Sequence, residues 1–269
     1  MTAPASPRRI ALVGFGEAAR AFLSGWRSRP GFSADVVAYD VKTDDPATRA
    51  GKLADYAEAA VVPAETTAAA VAGADLVVCL VTADQAHAAA LAIAPHLAPG
   101  ALVFDGNSCA PQTKVLSAAA IDAAGGRYVD VAVMAPVHPR LHRTPLLVSG
   151  PNAEAALPVF AALDMAATLQ AGPVGSSSAI KMVRSVMMKG LEALVCECVL
   201  AGRLAGVDDI VLESLDDTYP GFDWKKRSAY MLERVMTHGV RRAAEMTEVA
   251  KTVDLLGLDG GMSRATVAW

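Results

Sequence analysis

Apolar residues in the first two thirds of the chain form short runs separated by stretches with helical spacing. The short runs predict strands at Arg9–Val13, Val36–Tyr39, Asp75–Val81, Leu102–Asp105, Tyr128–Val133, Leu146–Ser149 and Thr168–Gln170. The stretches between them predict helices. This alternation, with short connections, is typical of a doubly wound parallel sheet. Residues 129–170 are less regular, and antiparallel strands are an alternative there.

The pattern changes near Ser176. The segment Ala179–Leu204 carries apolar residues at helical spacing over about seven turns. Further helices are predicted at Asp209–Leu215, Trp224–His238 and Ala243–Leu256. We therefore predict an α/β protein with an N-terminal doubly wound domain over residues 1–174 and an all-α C-terminal domain over residues 175–269. A helix as long as the first of these is typical of a spine or a dimer face.

Composition excludes several classes of protein. The chain is 53% hydrophobic and carries a net charge of −4, with no basic run, so we predict no nucleic-acid partner. Its apolar runs end well before the ~18 residues of a membrane span, and the N-terminus lacks the apolar core of a signal peptide. The four cysteines contain no C-x-x-C pair, so we predict reduced thiols, a cytoplasmic location and no metal site.

A glycine-rich turn, G-F-G-E-A-A, follows the first predicted strand and opens the first helix. In such a turn Gly14 permits the tight bend, Gly16 lets a pyrophosphate approach the backbone, and Ala19 packs closely on the strand. The helix N-terminus, with Glu17 and Ala18, offers free N–H groups. We predict a Rossmann-type dinucleotide site here; the alternative is a glycine turn in a domain that binds no nucleotide.

Asp40 ends the second predicted strand. A carboxylate there would accept a hydrogen bond from a ribose 2′-hydroxyl and repel a 2′-phosphate, which favours NAD over NADP. Lys42 and Arg49 nearby could moderate that repulsion, so both cofactors stay open, and Asp40 could also be an ordinary solvated carboxylate. Val81 and Thr82, at the end of a buried strand, complete the predicted cofactor-binding residues.

Three ordered segments carry a family resemblance: the turn V-G-F-G-E-A-A, the loop D-G-N-S-C-A-P (Asp105–Pro111), and the lysine segment Gly172–Lys181. Together they resemble the β-hydroxyacid dehydrogenases, which include 3-hydroxyisobutyrate dehydrogenase and 6-phosphogluconate dehydrogenase. The segment His238–Met246 resembles a poorly characterised subgroup of phosphogluconate-dehydrogenase-like proteins. The resemblance implies an NAD(P)-dependent oxidoreductase that forms a homodimer.

The resemblance also implies residue roles. Lys181 would take the hydroxyl proton of the substrate as hydride leaves the adjacent carbon. Ser185 stands where the family has an asparagine. Asn107 and Ser108 follow a parallel strand, at the edge where such sheets bind ligands, and would hold a substrate carboxylate or hydroxyl. The alternative for that loop is a turn that caps the helix beginning near Pro111, and for Lys181 a solvent-facing lysine.

The chain departs from the family at several positions. Met188 replaces the acid used in phosphogluconate decarboxylation, which argues against that reaction. Lys189 is a candidate ligand for an anionic substrate, or else a surface lysine. Met134–Pro136 replaces a small S-G-G run, and a cationic group follows it. That group comprises His138, Arg140, His142 and Arg143, and either recognises an anionic or polyhydroxy substrate, with His138 as a ligand, or forms a polar surface loop.

These observations predict an oxidoreductase that moves hydride between NAD or NADP and a small β-hydroxy acid or sugar acid, with Lys181 as general acid and base. An imine reductase is an alternative, although such enzymes usually lack the lysine. A protein of another class, an NAD(P)-binding sensor or scaffold without turnover, would fit Ser185 and the filled Met134–Pro136 segment.

Overall fold

The computed structural model describes residues 6–269. The chain divides into two compact units, of which the first ends at Lys181 and the second is Met182–Trp269. The division falls inside a helix, seven residues beyond the predicted domain boundary at 174/175. Each unit has its own hydrophobic core, and each is described by itself.

Within the described part of the first unit, the strands form one eight-stranded sheet in the order β3-β2-β1-β4-β5-β6-β7-β8. All neighbours are parallel except β6 and β7, which pair antiparallel. The predicted alternative for residues 129–170 is therefore confirmed. The strands are β1 (Arg9–Val13), β2 (Asp35–Tyr39), β3 (Val62–Pro63), β4 (Leu76–Cys79), β5 (Leu102–Asp105), β6 (Arg127–Val133), β7 (Leu146–Ser149) and β8 (Ala167–Leu169).

Helices cover both faces of this sheet. They are α1 (Glu17–Arg27), α2 (Pro46–Glu58), α3 (Thr67–Val71), α4 (Ala86–Ile93), α5 (Pro111–Ala123) and α6 (Ala153–Ala162). Alternate residues of β1 show the two layers, since Ile10 and Leu12 join the core cluster under α1 and α6, whereas Ala11 and Val13 join the cluster under α4 and α5. A sheet buried on both faces confirms the doubly wound architecture.

The strand order reverses at β1, which has β2 on one side and β4 on the other. In a parallel sheet the connections leaving these two directions run to opposite faces, and a crevice opens at the carboxyl ends of the central strands. The loops after β1, β4 and β5 therefore meet at one edge of the sheet. Those loops contain six of the predicted cofactor and substrate residues, namely Gly14, Gly16, Val81, Thr82, Asn107 and Ser108.

The second unit is helical, as predicted for the C-terminal domain. Its helices are the greater part of α7 (Ser176–Ala205), then α8 (Asp208–Thr218), α9 (Trp224–Leu255) and α10 (Gly261–Val267). Met182, Met246 and Val249 form its buried core cluster. Among the described residues, no helix is both long enough and apolar enough to cross a membrane.

One prediction about this unit is wrong. The two helices expected at Trp224–His238 and Ala243–Leu256 are one continuous helix of 32 residues. The gap between the two predicted helices contains Gly239. A single glycine costs a helix only about 1 kcal/mol, and buried residues on both sides of it, Met231 and Met246, anchor the adjoining turns.

Candidate active site

The glycine turn after β1 has the geometry that a dinucleotide site needs. Gly14 adopts φ +83°, and a Cβ at this position would overlap with the Leu80 carbonyl oxygen. Its N–H donates to the Tyr39 carbonyl at 2.8 Å, which ties the ends of β1 and β2 together. A Cβ at Gly16 would meet nothing within 4 Å, and Gly16 is exposed at the start of α1. Backbone can therefore be approached closely at this helix N-terminus, which fits a pyrophosphate.

The predicted residues Glu17 and Ala18 form the first turn of α1. The N–H groups of a first turn have no partner within their own helix, and the side chain of Glu17 is exposed while Ala18 is half-buried. The backbone of these two residues, more than their side chains, is suited to binding phosphate oxygens.

Asp40 lies at the end of β2 and is largely buried. One carboxylate oxygen, Oδ2, accepts from the Phe15 N–H at 2.8 Å, and the other, Oδ1, accepts from the Lys42 N–H at 3.0 Å. Lys52 lies 3.9 Å from Oδ2 and donates to the Phe15 carbonyl at 2.8 Å. A carboxylate has about four acceptor sites. Asp40 thus stiffens the glycine turn and keeps acceptor capacity for ribose hydroxyls.

Val81 and Thr82 follow β4 and lie beside the same turn. The Cβ that Gly14 lacks would lie 2.8 Å from Val81 Cγ1. The Val81 N–H donates to Asn107 Oδ1 at 2.6 Å, so the loops after β4 and β5 are joined directly. Thr82, the next residue, is exposed.

Asn107 is buried, and its remaining side-chain atoms are also occupied by the protein. Its Nδ2 donates to Asp105 Oδ1 at 2.7 Å and to Cys79 Sγ at 3.3 Å. These bonds shape the loop after β5. The helix α5 begins at Pro111 with Ala110 as its N-cap, and this N-cap makes no side-chain capping bond.

Lys181 and Ser108, far apart in sequence, are in direct contact. Lys181 Nζ donates to Ser108 Oγ at 2.6 Å, and both residues are half-buried. Ser108 belongs to the loop after β5, and Lys181 to the second turn of α7. The contact brings a cationic amine and a hydroxyl together at the ligand-binding edge of the sheet.

A buried charged network lies beneath this contact. Lys114 of α5 has no exposed side chain; its Nζ donates to Asp105 Oδ1 at 2.9 Å and to the Asp105 carbonyl at 2.7 Å. The same Nζ lies 3.6 Å from Asp130 Oδ1, and Tyr128 donates its hydroxyl to Asp105 Oδ2 at 2.7 Å. Burial alone would lower the pKa of Lys114, but the carboxylates of Asp105 and Asp130 outweigh it and raise that pKa above its usual range.

Asp130 of β6 also holds the start of α7. Its Oδ2 accepts from the backbone N–H groups of Gly175 at 3.0 Å and Ser178 at 3.2 Å, and from Ser149 Oγ at 2.9 Å. Its Oδ1 accepts from Ser178 Oγ at 2.6 Å. A carboxylate at a helix N-terminus satisfies free N–H groups and complements the helix dipole.

Our sequence reasoning assigned no role to Lys114, Asp130 or Ser178. A signal for two of them is present in the sequence. Asp130 interrupts the apolar run of β6, and Lys114 lies in a helix whose neighbours in the pattern are small or apolar. Ionisable residues at inward positions of buried elements need charged or polar partners. A buried aspartate therefore predicts a cation or donor nearby, and a buried lysine predicts a carboxylate or other acceptor nearby.

The other predicted site residues lie outside this contact. Ser185 and Lys189 belong to the second unit, where Ser185 is buried and Lys189 Nζ lies 2.6 Å from Glu245 Oε2. Burial lowers the pKa of Lys189, and Glu245 opposes that effect. Lys189 is therefore part of a buried ion pair and not the alternative surface lysine.

His138 is exposed in the loop after β6, but the predicted cationic group around it is divided. His142 is buried against α1, with Nε2 3.4 Å from Asp164 Oδ2, and Arg143 Nε donates to the same oxygen at 2.8 Å. Burial lowers the pKa of His142, against the opposing effect of Asp164. Asp164 thus binds two members of the group, of which His142 is buried and Arg143 is largely exposed.

Residues 6–269 hold no group of three or more His, Cys, Asp or Glu side chains arranged for a metal ion. None of the four cysteines, all of which lie within the described residues, forms a disulfide bond.

Residues 10–172, which include the glycine turn, Asp40 and the Asn107–Ser108 loop, match the family model of the NAD-binding domain of 6-phosphogluconate dehydrogenase. The chain belongs to this family. Membership of the 6-phosphogluconate dehydrogenase family confirms the resemblance inferred from the motifs and makes the first unit a nicotinamide-dinucleotide domain. Residues 203–269 match a domain of unknown function, DUF1932. No curated protein matches the chain.

Solved structures agree with this family. A conserved hypothetical protein from Sinorhizobium meliloti 1021 is 39% identical, with 99% of this chain and 88% of that chain covered and a TM-score of 0.74. A conserved protein described as structurally similar to 3-hydroxyacid dehydrogenases is 26% identical, with 97% and 94% covered and a TM-score of 0.70. Mycobacterium tuberculosis 3-hydroxyisobutyrate dehydrogenase with L-serine shares the fold, at 15% identity, 97% and 92% coverage and a TM-score of 0.71.

Proposed function

We propose that the protein is an NAD(P)-dependent oxidoreductase that acts on a small β-hydroxy acid or sugar acid, with Lys181 as general acid and base. The observation that carries the proposal is the hydrogen bond of 2.6 Å between Lys181 Nζ and Ser108 Oγ. It lies at the carboxyl ends of the central strands, in the unit that carries the glycine turn. Ligands bind at this edge in doubly wound sheets.

In this mechanism the nicotinamide supplies the acceptor or donor of hydride. Lys181, in its neutral form, accepts the proton of the substrate hydroxyl as that carbon loses hydride and becomes a carbonyl. In the reverse direction the ammonium returns the proton to the carbonyl oxygen. Ser108 accepts a hydrogen bond from Lys181, so its own hydroxyl proton is available to the substrate. Asn107 keeps the loop in place through Val81 and Asp105.

The chemistry of the loop and the similarity of fold support the proposed substrate class. Ser108 and the neighbouring backbone can bind a carboxylate or hydroxyl, and the fold is shared with a dehydrogenase whose structure includes L-serine, itself a β-hydroxy acid. Lys189 and His138 remain candidate ligands for an anionic or polyhydroxy substrate, and Ser185 a candidate catalytic residue. The pairing of Lys189 with Glu245 means that an anion would have to compete with a carboxylate.

Of the two nicotinamide cofactors, we propose that the protein uses NAD rather than NADP. Asp40 is fixed at the end of β2 by two backbone N–H groups, where its carboxylate can accept from ribose hydroxyls and repel a 2′-phosphate. The exposed Lys42 is the residue that could offset this repulsion. Comparing the dissociation constants of NAD and NADP for the purified protein decides between them: tighter binding of NAD supports the proposal, and tighter binding of NADP contradicts it.

The experiment that tests the reaction follows nicotinamide absorbance with both cofactors against 3-hydroxyisobutyrate, 3-hydroxybutyrate, L-serine and gluconate. It compares the wild type with Lys181→Ala and Lys181→Arg. General acid–base catalysis contributes about 10²–10⁴-fold, so we expect kcat to fall by that factor in both variants. Arginine keeps the charge but does not lose a proton near neutral pH. The exposed Lys226→Ala is the matched control and should behave as wild type.

Full activity in Lys181→Ala would remove the lysine from the mechanism. Recovery in Lys181→Arg alone would assign it an electrostatic role without proton transfer. Cofactor binding with no turnover on the panel, or on wider sets of hydroxy acids, would favour a sensor or scaffold. Turnover of a cyclic imine instead of hydroxy acids would favour the imine reductase alternative.

A further inference from the structure

The carboxylate of Asp130, a residue of β6, lies at the N-terminus of α7. Asp130 is completely buried in β6, and its carboxylate accepts from the Gly175 N–H, the Ser178 N–H and the Ser178 hydroxyl. The first turn of the helix is therefore tied to the sheet by a side chain that lies more than forty residues earlier in the chain.

The tied turn is the turn that precedes Lys181. Ser178 and Lys181 are three residues apart, so they are neighbours on one side of the helix. Side chains on a helix lean toward its N-terminus, so the path of the Lys181 side chain runs over the turn that Asp130 holds. A shift of that turn would move Nζ relative to Ser108.

The same network holds the other partner of the contact. Lys114 lies between Asp130 and Asp105, and Asp105 Oδ1 accepts from the Asn107 N–H at 3.0 Å and from Asn107 Nδ2. Asn107 immediately precedes Ser108. One chain of buried charges thus reaches the backbone on both sides of the hydrogen bond between Lys181 and Ser108.

We infer that Asp130 is a positioning residue for the reaction: through Ser178 on one side and Lys114 on the other, it fixes the distance between Lys181 Nζ and the substrate loop. This inference rests on the proposed role of Lys181. Burying three charged groups is costly, and apolar residues of similar volume are often at least as stabilising. Catalytic geometry gives a reason for keeping them, because misplacement of a reacting group by about 1 Å can cost 10²-fold in rate.

Two adjacent serines provide a matched test. Ser178→Ala removes the hydroxyl that donates to Asp130, whereas Ser177→Ala removes a buried hydroxyl with no hydrogen-bond partner among the described residues. Both changes delete one oxygen in the first turn of α7. Asp130→Asn, which keeps the shape and removes the charge, is the stronger variant, and Ser178→Ala keeps the inference testable should Asp130→Asn fail to fold.

Two readouts are needed. Hydrogen–deuterium exchange of the peptide covering residues 172–181 reports whether the turn is held, without any substrate. Steady-state kinetics with 3-hydroxyisobutyrate, or the panel member turned over fastest, report kcat and KM separately. We expect faster exchange in Ser178→Ala and Asp130→Asn, with kcat lower by about 10-fold and up to about 100-fold respectively and KM little changed. Ser177→Ala should match the wild type in both readouts.

Unchanged exchange in Ser178→Ala and Asp130→Asn would overturn the inference, and so would faster exchange with wild-type kcat. A parallel loss of activity in Ser177→Ala would also overturn it, because that variant breaks no bond to Asp130. These failures differ from failure of the proposed function, which is turnover that survives Lys181→Ala.

Discussion

At the scale of single residues, Gly25 shows how closely the first unit is packed. Gly25 lies in α1, and a Cβ there would overlap with His142 Nδ1 and lie 3.0 Å from the His142 backbone nitrogen. The imidazole is held in place by Asp164, so it has little freedom to withdraw. A residue with a side chain therefore does not fit at position 25 unless His142 moves.

We predict that Gly25→Ala destabilises the protein by about 1–3 kcal/mol, the usual cost of overpacking a core. Gly51→Ala is the control: Gly51 also lies in a helix of the first unit, but its added Cβ would meet nothing within 4 Å. That variant should gain about 0.5–1 kcal/mol, because glycine is entropically costly in a helix. The measurement is the free energy of unfolding in urea. Equal effects of the two changes would show that His142 does not occupy the position described.

The residue-scale predictions came mainly from motifs, and the structure brings two of the predicted residues, Ser108 and Lys181, into contact. The glycine turn, Ser108 and Lys181 come from the three ordered segments, and Asp40 comes from the end of a predicted strand. Lys114 and Asp130 belong to no such segment. Their pairing depends on the register of β5 against β6, in which Asp105 lies opposite Asp130, and side-chain alternation alone does not reveal which strands are neighbours.

At the scale of secondary-structure elements, short apolar runs predicted β1 and β5 at their observed bounds and β4 with a few extra residues. Two short elements were missed. The strand β3 has only two residues, too few for an alternating pattern, and α10 has seven residues near the C-terminus. The prediction for α9 shows the opposite error, since two helices were predicted where buried residues on both sides of the gap belong to one continuous helix.

Because α9 is continuous, substitutions at Gly239 should change the stability of the protein in a direction set by helix propensity. In an uninterrupted helix, Gly239→Ala should stabilise the protein by about 0.5–1 kcal/mol, and Gly239→Pro should destabilise it by about 3 kcal/mol or more, because proline removes a helical hydrogen bond and clashes with the preceding turn. Two helices joined near residue 239 would tolerate proline and gain little from alanine. Urea unfolding of the two variants beside the wild type distinguishes these cases.

At the scale of the whole molecule, the second unit exposes several large apolar side chains. Met236 and Val240 lie one turn apart on α9 and are 84% and 93% exposed, and Leu204 at the end of α7 is 91% exposed. Exposed apolar patches mark surfaces for protein association. They support the homodimer that the family resemblance implies, which we propose for this chain; the cytoplasmic location stays a prediction.

If the exposed apolar side chains form the homodimer interface, one charge introduced at Val240 should weaken the association of the two copies. Val240→Asp should shift the protein toward monomers in sedimentation velocity at micromolar concentration, because an unpaired carboxylate in an apolar interface is costly. Lys226→Asp, an exposed position on the same helix, serves as the control and should leave the mass unchanged. A wild type that sediments as a monomer at high concentration would contradict the proposal directly.

The buried chain Asp105–Lys114–Asp130 has a consequence for protein engineering. Replacing Lys114 leaves two buried carboxylates without their cation. Replacing either aspartate leaves buried donors without their acceptor. Each single change should therefore reduce the yield of folded protein. A library that randomises these positions one at a time would return almost only the parent residues. An apolar redesign of this layer is accessible only when the three positions change together, and Ser178 would then need a new acceptor.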